Sequence, residues 1–187
     1  PGVPLSGWRE SRFQVRGDSV FAAAYVDAAR WLYRSFDAGQ TWERLALPTF
    51  APPYDPLAPS AFRVLSDGTL FGYSTSWPYV SPHMRSDDGG TTWTETTCRG
   101  ESIASDRTWT FFGEAPYVTK TGQEVAGTLY RSSDGGLTCE VLSRAGVLGL
   151  STSQSGALLI SSTRGLQLST DAGLTRTPVV LEDLAVG

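Results

Sequence analysis

Three stretches of this chain gather side chains suited to recognising or transforming a ligand. Residues 48–59 are Pro-rich and carry Tyr54 and Asp55, residues 74–83 carry Trp77, Tyr79 and His83, and residues 99–107 carry Glu101, Asp106 and Arg107. Aromatic rings beside carboxylates and guanidinium groups fit sugar recognition, since a ring covers the apolar face of the sugar while polar groups take its hydroxyls. The same residues can instead pack a long connection onto the surface beneath it. Long loops in compact domains are nonetheless often functional. Tyr54, Asp55, Trp77, Tyr79, His83 and Arg107 are therefore the candidate ligand-binding residues.

Catalytic chemistry has less to build on. Asp55, Glu101, Asp106 and Glu114 are loop carboxylates from which a hydrolytic pair could be drawn, although solvation at the surface is the simpler account of them. His83 is the only histidine, no zinc-ligand spacing occurs around it, and no Gly-x-Ser-x-Gly is present. Asp87-Asp88-Gly89-Gly90 lacks the ligand spacing and closing Glu of a calcium loop, and there is no Gly-rich phosphate loop. No catalytic residue is assigned, and neither a metal nor a cofactor is expected.

The elements that must position these stretches are announced by an octapeptide, Ser-x-Asp-x-Gly-x-Thr-Trp, that occurs four times. Its copies begin at Ser35, Ser86, Ser132 and Ser169; the first two end in Trp42 and Trp93, the third in Cys139 and the fourth in Arg176. The Asp (Asp37, Asp88, Asp134, Asp171) is placed to accept from backbone N–H groups two and three residues on, closing a tight turn. The Gly two positions later (Gly39, Gly90, Gly136, Gly173) supplies the positive φ that the turn needs. Each copy therefore predicts a hairpin tip between two antiparallel strands, with the terminal Trp opening the outgoing strand. Loss of that Trp from the last two copies reads as decay tolerated by other contacts. Arg34, Arg85 and Arg131 each precede an octapeptide Ser. Recurrence at one strand position puts them on equivalent strands of separate repeats, so they read as ion-pairing or stacking residues of the scaffold.

The four Asp positions are 51, 46 and 37 residues apart, which is the range of a four-stranded propeller blade. Short strands fill the intervals: 12–16, 19–25 and 30–34 in the first repeat, 61–65 and 69–73 in the second, 108–112, 117–120 and 128–131 in the third, 147–150, 157–160 and 165–168 in the fourth. No stretch sustains a helical period.

The octapeptide is the pattern of the Asp-box, or bacterial neuraminidase repeat, and over nearly its whole length the chain resembles the sialidase-like Asp-box β-propellers. The resemblance implies an all-β fold, one domain over 1–187, with about four four-stranded blades at 8–47, 48–97, 98–143 and 144–187. It also implies that the Asp-box turns are structural and lie away from the face where propellers take ligands. Sialidases hold a substrate carboxylate with an arginine triad and carry an Arg-Ile-Pro motif, which is absent here. Four blades leave two architectures open, a closed ring and an arc completed by further sequence or by a second copy.

Composition narrows the partners. The 187 residues are enough for a domain with a real core. With 15 Lys and Arg against 19 Asp and Glu, the net charge of -4 argues against nucleic acid as a partner. No apolar run approaches the length of a membrane span. Cys98 and Cys139 permit one disulfide without demanding it. The chain opens at Pro1 without a Met, so a trimmed product or a piece of a longer protein is expected. The expected function is a non-catalytic exported binding module, secreted, periplasmic or at the cell surface, that recognises a glycan or a protein through its loop face. A glycoside hydrolase of sialidase type or a fragment of one, and a structural propeller that self-associates to complete its ring, are the alternatives.

Overall fold

A computed structural model of the chain describes residues 9–16, 18–26, 29–47, 61–65, 67–73, 83–106, 108–119, 121–153 and 155–180. Every regular element among them is a β-strand. None of the described residues forms a helix long and apolar enough to cross a membrane. The strands build successive four-stranded antiparallel meanders. The first holds β1 (Arg9–Arg16), β2 (Ser19–Val26), β3 (Ala29–Ser35) and β4 (Glu43–Arg44), and the second β5 (Ala61–Val64), β6 (Leu70–Tyr73), β7 (Met84–Ser86) and β8 (Thr94–Glu95). The third holds β9 (Ser102–Ser105), β10 (Thr110–Gly113), β13 (Leu129–Ser132) and β14 (Glu140–Ser143). Between β10 and β13 it carries a separate hairpin, β11 (Tyr117–Val118) with β12 (Glu124–Val125). The fourth runs through β15 (Val147–Thr152), β16 (Leu158–Ser162), β17 (Gly165–Ser169) and β18 (Thr177–Pro178).

The third repeat corrects the expected strand order. Residues 117–120 do not form its second strand; that place belongs to β10, and β11 opens the inserted hairpin. Residues 102–105, read as part of a loop, form the first strand β9 and pair with β10 from Ser102↔Gly113 to Ser105↔Thr110. The reason is burial. Ile103 and Ala104 are buried against a β10 that is buried at every position, whereas Tyr117 and Val118 are half exposed.

The chain divides into two compact units, Pro1–Thr97 and Cys98–Gly187, each holding two meanders. In the first, Phe21, Leu32, Leu45, Phe62, Val64 and Leu70 form the core, with Trp93 packed against it. In the second, Phe111, Leu129, Val147, Leu158 and Ile160 do the same, with Trp109 and Leu142 at the margin. Each such side chain contributes about 1.5–3 kcal/mol on burial. Side chains also tie neighbouring first strands together. The Gln14 amide in β1 donates to Phe62 O (2.8 Å) and accepts from Val64 N (2.7 Å) in β5, and the Thr152 hydroxyl in β15 donates to Ser105 O of β9 (2.5 Å).

The four octapeptides share one hydrogen-bond pattern. The first-position Ser Oγ accepts from the fifth-position Gly N–H at 2.7–2.8 Å (Gly39, Gly90, Gly136, Gly173) and donates to its Asp Oδ1 at 2.6–2.8 Å. The Asp in turn accepts from the backbone N–H and the hydroxyl of the seventh-position Thr: Thr41, Thr92, Thr138 or Thr175. The N–H groups expected to go to the Asp two and three residues on are thus largely redistributed, the Gly N–H passing to Ser. These bonds favour the ionised carboxylate. The Thr41 hydroxyl bond, followed by its N–H, lowers Asp37 from 3.8 to about 2, and the Thr175 hydroxyl does the same for Asp171, again to about 2. Asp88 and Asp134 are held well below the usual carboxylate range, the first chiefly by Thr92 N–H and the second by the Ser132 hydroxyl. Positive φ is required at two successive positions. The Gly at the fifth has φ of 85° to 96°, and the residue before it is also left-handed, including Ala38 (55°) and Ala172 (57°).

Arginines before the octapeptides serve this scaffold. Arg34 pairs with Glu43 (2.9 Å) and donates to Gly89 O of the next octapeptide (2.7 Å). Arg131 pairs with Glu140 (2.7 Å), stacks over Trp109 and donates to Ala172 O. Arg85 pairs with Asp87 (2.7 Å). Cys98 and Cys139 are joined as a disulfide, with Cα atoms 5.5 Å apart.

Candidate binding groove

In a four-stranded meander, the connection from second to third strand and the one leading to the next meander leave from the same end of the strands. The octapeptide turns, joining third to fourth strands, leave from the other. Three connections of the first kind meet in the second unit: the inserted hairpin between β10 and β13, the β14–β15 link at 144–146, and the β16–β17 turn at 163–164. Together they line an open groove of about 590 Å³.

Local sequence sets each wall. Glu114 anchors the hairpin base: its N–H donates to Thr128 O (2.8 Å), its C=O accepts from Val147 N (3.0 Å), and its carboxylate accepts from the Tyr130 hydroxyl (3.2 Å). Burial raises the Tyr130 phenol and keeps it a donor. The hairpin tip closes with Thr119 N–H donating to Gln123 O (2.8 Å) and Gly122 N–H to Thr119 O (2.9 Å), Gly122 having a φ of 80°. Gly146 keeps the β14–β15 link against the hairpin. A Cβ there would lie 2.6 Å from Pro116 Cδ. Its carbonyl accepts from Thr163 N–H (3.2 Å), which joins the third wall to the second.

The groove presents Tyr117 (49% exposed) and Val118 (55% exposed) beside Arg144, Arg164 and Glu124. Arg144 and Arg164 are exposed, and among the described residues neither is in an ion pair. An apolar aromatic shelf next to uncommitted guanidinium groups can hold a ligand that combines an apolar face with acceptor or anionic oxygens. The described residues hold no group of three or more His, Cys, Asp or Glu placed to bind a metal ion.

Of the residues singled out in the sequence, Tyr54, Asp55, Trp77, Tyr79 and Arg107 lie outside the described residues. His83 is corrected: it is fully buried, its ring centroid 4.9 Å from that of Tyr73, and its carbonyl accepts from Thr96 N–H (2.8 Å) and hydroxyl (3.0 Å). Its ring packs against Phe71 and Tyr73 of β6 rather than lying exposed on a loop. Asp106 caps the β9–β10 turn, accepting from Thr108 and Trp109 N–H at 2.7 Å. The groove residues were missed because 117–120 looked like a plain strand. The signal that could have found them is Thr121-Gly122, a turn between two short runs of β-forming residues.

No protein-family model matches the sequence, and no curated protein sequence matches it. Solved structures do match. YCF48 bound to D1 peptide has a TM-score of 0.56 at 12% identity, over 95% of this chain and 56% of that one. The extracellular domain of BT4673 from B. thetaiotaomicron has a TM-score of 0.59 at 11% identity, over 98% of this chain and 24% of that one. The GH74 enzyme of Niastella koreensis has a TM-score of 0.52 at 16% identity, over 91% and 30%. The fold is a β-propeller. At these identities the likeness carries the propeller fold and no activity. The chain spans 56% or less of the length of each of these three propellers.

Proposed function

We propose that this propeller is a non-catalytic binding module, exported from the cytoplasm, that takes a glycan or protein ligand on the face bearing the connections between second and third strands. The observation that carries the reading is the groove between the β11–β12 hairpin and the Arg144 and Arg164 turns, with its exposed Tyr117. Glu124 is the one carboxylate among the described residues that line it, whereas a glycosidase needs two across a cleft. This favours binding over hydrolysis. Export is supported by the Cys98–Cys139 disulfide, which persists in oxidising compartments. Tyr54, Asp55, Trp77 and Tyr79, on the β4–β5 and β6–β7 connections of the first unit, are proposed as a second set of ligand-facing residues; position 107 falls between β9 and β10, a first-to-second-strand connection at the other end of the strands, and is not included.

The test is to screen the purified chain against glycan and peptide arrays alongside Tyr117→Ala and Trp77→Ala. Binding that Tyr117→Ala abolishes supports the groove, and binding lost only in Trp77→Ala moves the site to the β6–β7 connection. Hydrolysis of an arrayed glycan, or no binding to either array, refutes the module.

A further inference from the structure

We infer that the groove takes an extended acidic peptide segment, which adds as a third strand beside β11 and sets its carboxylates against Arg144 and Arg164. The inference rests on the binding-module reading above and deepens it. Its first support is backbone geometry. The β11–β12 hairpin is a two-stranded sheet by itself, so it has strand edges that no other strand among the described residues pairs. Its register runs Tyr117↔Val125, Val118↔Glu124, and then Thr119 opposite Gln123, where Thr119 N–H donates to Gln123 O. Hydrogen-bonded and non-hydrogen-bonded pairs alternate along an antiparallel ladder. The Thr119 pair is hydrogen-bonded, so the peptide N–H and C=O of Val118 point away from β12, to the outer side of β11. That is the arrangement an incoming strand needs.

The side chains supply the second support. Pro116, at the entrance to β11, packs on Gly146 of the β14–β15 link, and Arg144 and Arg164 both line the groove. Arg34, Arg85 and Arg131 are each held in an ion pair, and Arg176 is taken up in bonds to Leu142 and Ser143. Arg144 and Arg164 are in no such pair among the described residues, in a chain whose net charge is -4. Two uncommitted guanidinium groups against a single carboxylate, Glu124, make this groove locally cationic. Tyr117 and Val118, alternating in side-chain direction along β11, offer apolar contact to the residues of an added strand on either face.

The probe is a fluorescein-labelled octapeptide of alternating Val and Glu, titrated with the full chain and followed by anisotropy. Saturable binding is expected, weakened ~10-fold or more in an Arg144→Gln, Arg164→Gln double variant and by a similar factor when alternate peptide amides are N-methylated. Both arginines are exposed, so the variant keeps the fold, and its thermal melt verifies this. Equal binding of the N-methylated peptide overturns strand addition. Equal binding of a Val and Lys counterpart overturns the acidic preference. Binding of oligogalacturonate with none of the peptide also overturns the inference, yet leaves the binding module standing. Binding of neither probe, with empty glycan and peptide arrays, brings both down.

Discussion

Trp93 and Arg176 make the same reach with different chemistry. Each closes its octapeptide, and each donates back to the chain leaving the preceding octapeptide: the Trp93 indole N–H to Ala46 O (2.9 Å), the Arg176 guanidinium to Leu142 O (3.2 Å) and Ser143 Oγ (2.8 Å). Cys139 holds the eighth position of the third copy, and its disulfide partner Cys98 stands five residues after Trp93, where Leu47 stands after Trp42. Replacement of the terminal Trp is therefore a substitution of one staple for another rather than decay.

The staples are expected to rank by bond type. Trp93→Phe keeps most of the apolar contact and loses one hydrogen bond, costing about 1 kcal/mol. Replacing Cys98 and Cys139 by Ser is expected to cost about 2–5 kcal/mol. In a Cys98→Ala background, Cys139→Trp should recover more stability than Cys139→Ala. Urea unfolding midpoints decide it, and equal midpoints for those last two would sink the equivalence.

The octapeptide glycines are expected to differ in what an added methyl costs. Gly39→Ala meets nothing closer than 3.6 Å, so it bears only the left-handed backbone strain, about 1–2 kcal/mol. Gly173→Ala bears the same strain and also drives a Cβ to 2.6 Å from Leu142 Cδ1, adding about 1–3 kcal/mol of overpacking. Thermal melts should therefore place Gly173→Ala below Gly39→Ala.

Acid should unfasten the turns within a defined window. Asp37 and Asp171 titrate at about 2 in the folded chain against an ordinary 3.8, so their contribution is complete above pH 4 and disappears as the pH falls towards 2. Asp37→Asn is expected to be less stable than the parent at pH 7, and the difference should shrink as pH drops from about 4 to about 2. A difference that stays constant through that range would show that Asp37 ionisation does not support the fold.

Groove substitutions should separate binding from folding. Tyr117, Arg144 and Arg164 are exposed, so replacing each singly is expected to change stability by no more than about 0.5 kcal/mol while weakening ligand capture. Paired melts and array binding measure both. Loss of stability larger than this would mean that the hairpin is part of the core after all.

Much of the fold could be read from the sequence because the octapeptide is local: Ser, Asp, Gly and Thr within eight residues determine their own turn, and the strands of the first, second and fourth repeats fall where alternation and the Asp-Gly signal put them. The third repeat could not be read this way. Whether Tyr117-Val118 lies in the sheet or outside it depends on which of two candidates, β9 or β11, buries its side chains against β10, and that is decided by contacts across the meander. The groove was hidden for the same reason, since its walls come from three connections distant in sequence. His83 shows the converse, a polar side chain in an aromatic-rich stretch that packs inward against Tyr73.

The third-position carboxylates Asp37, Asp88, Asp134 and Asp171 are each held by the Ser and Thr of their own octapeptide. A copied repeat therefore carries the polar network of its own turn with it, and what it meets anew is the arginine and leucine of the preceding repeat that reach the turn. The eighth residue varies most among these contacts: an indole at Trp93, a disulfide sulfur at Cys139 and a guanidinium at Arg176. Repeat number is consequently a cheap variable in evolution for this architecture, while the identity of the junction residue records where each copy came to rest.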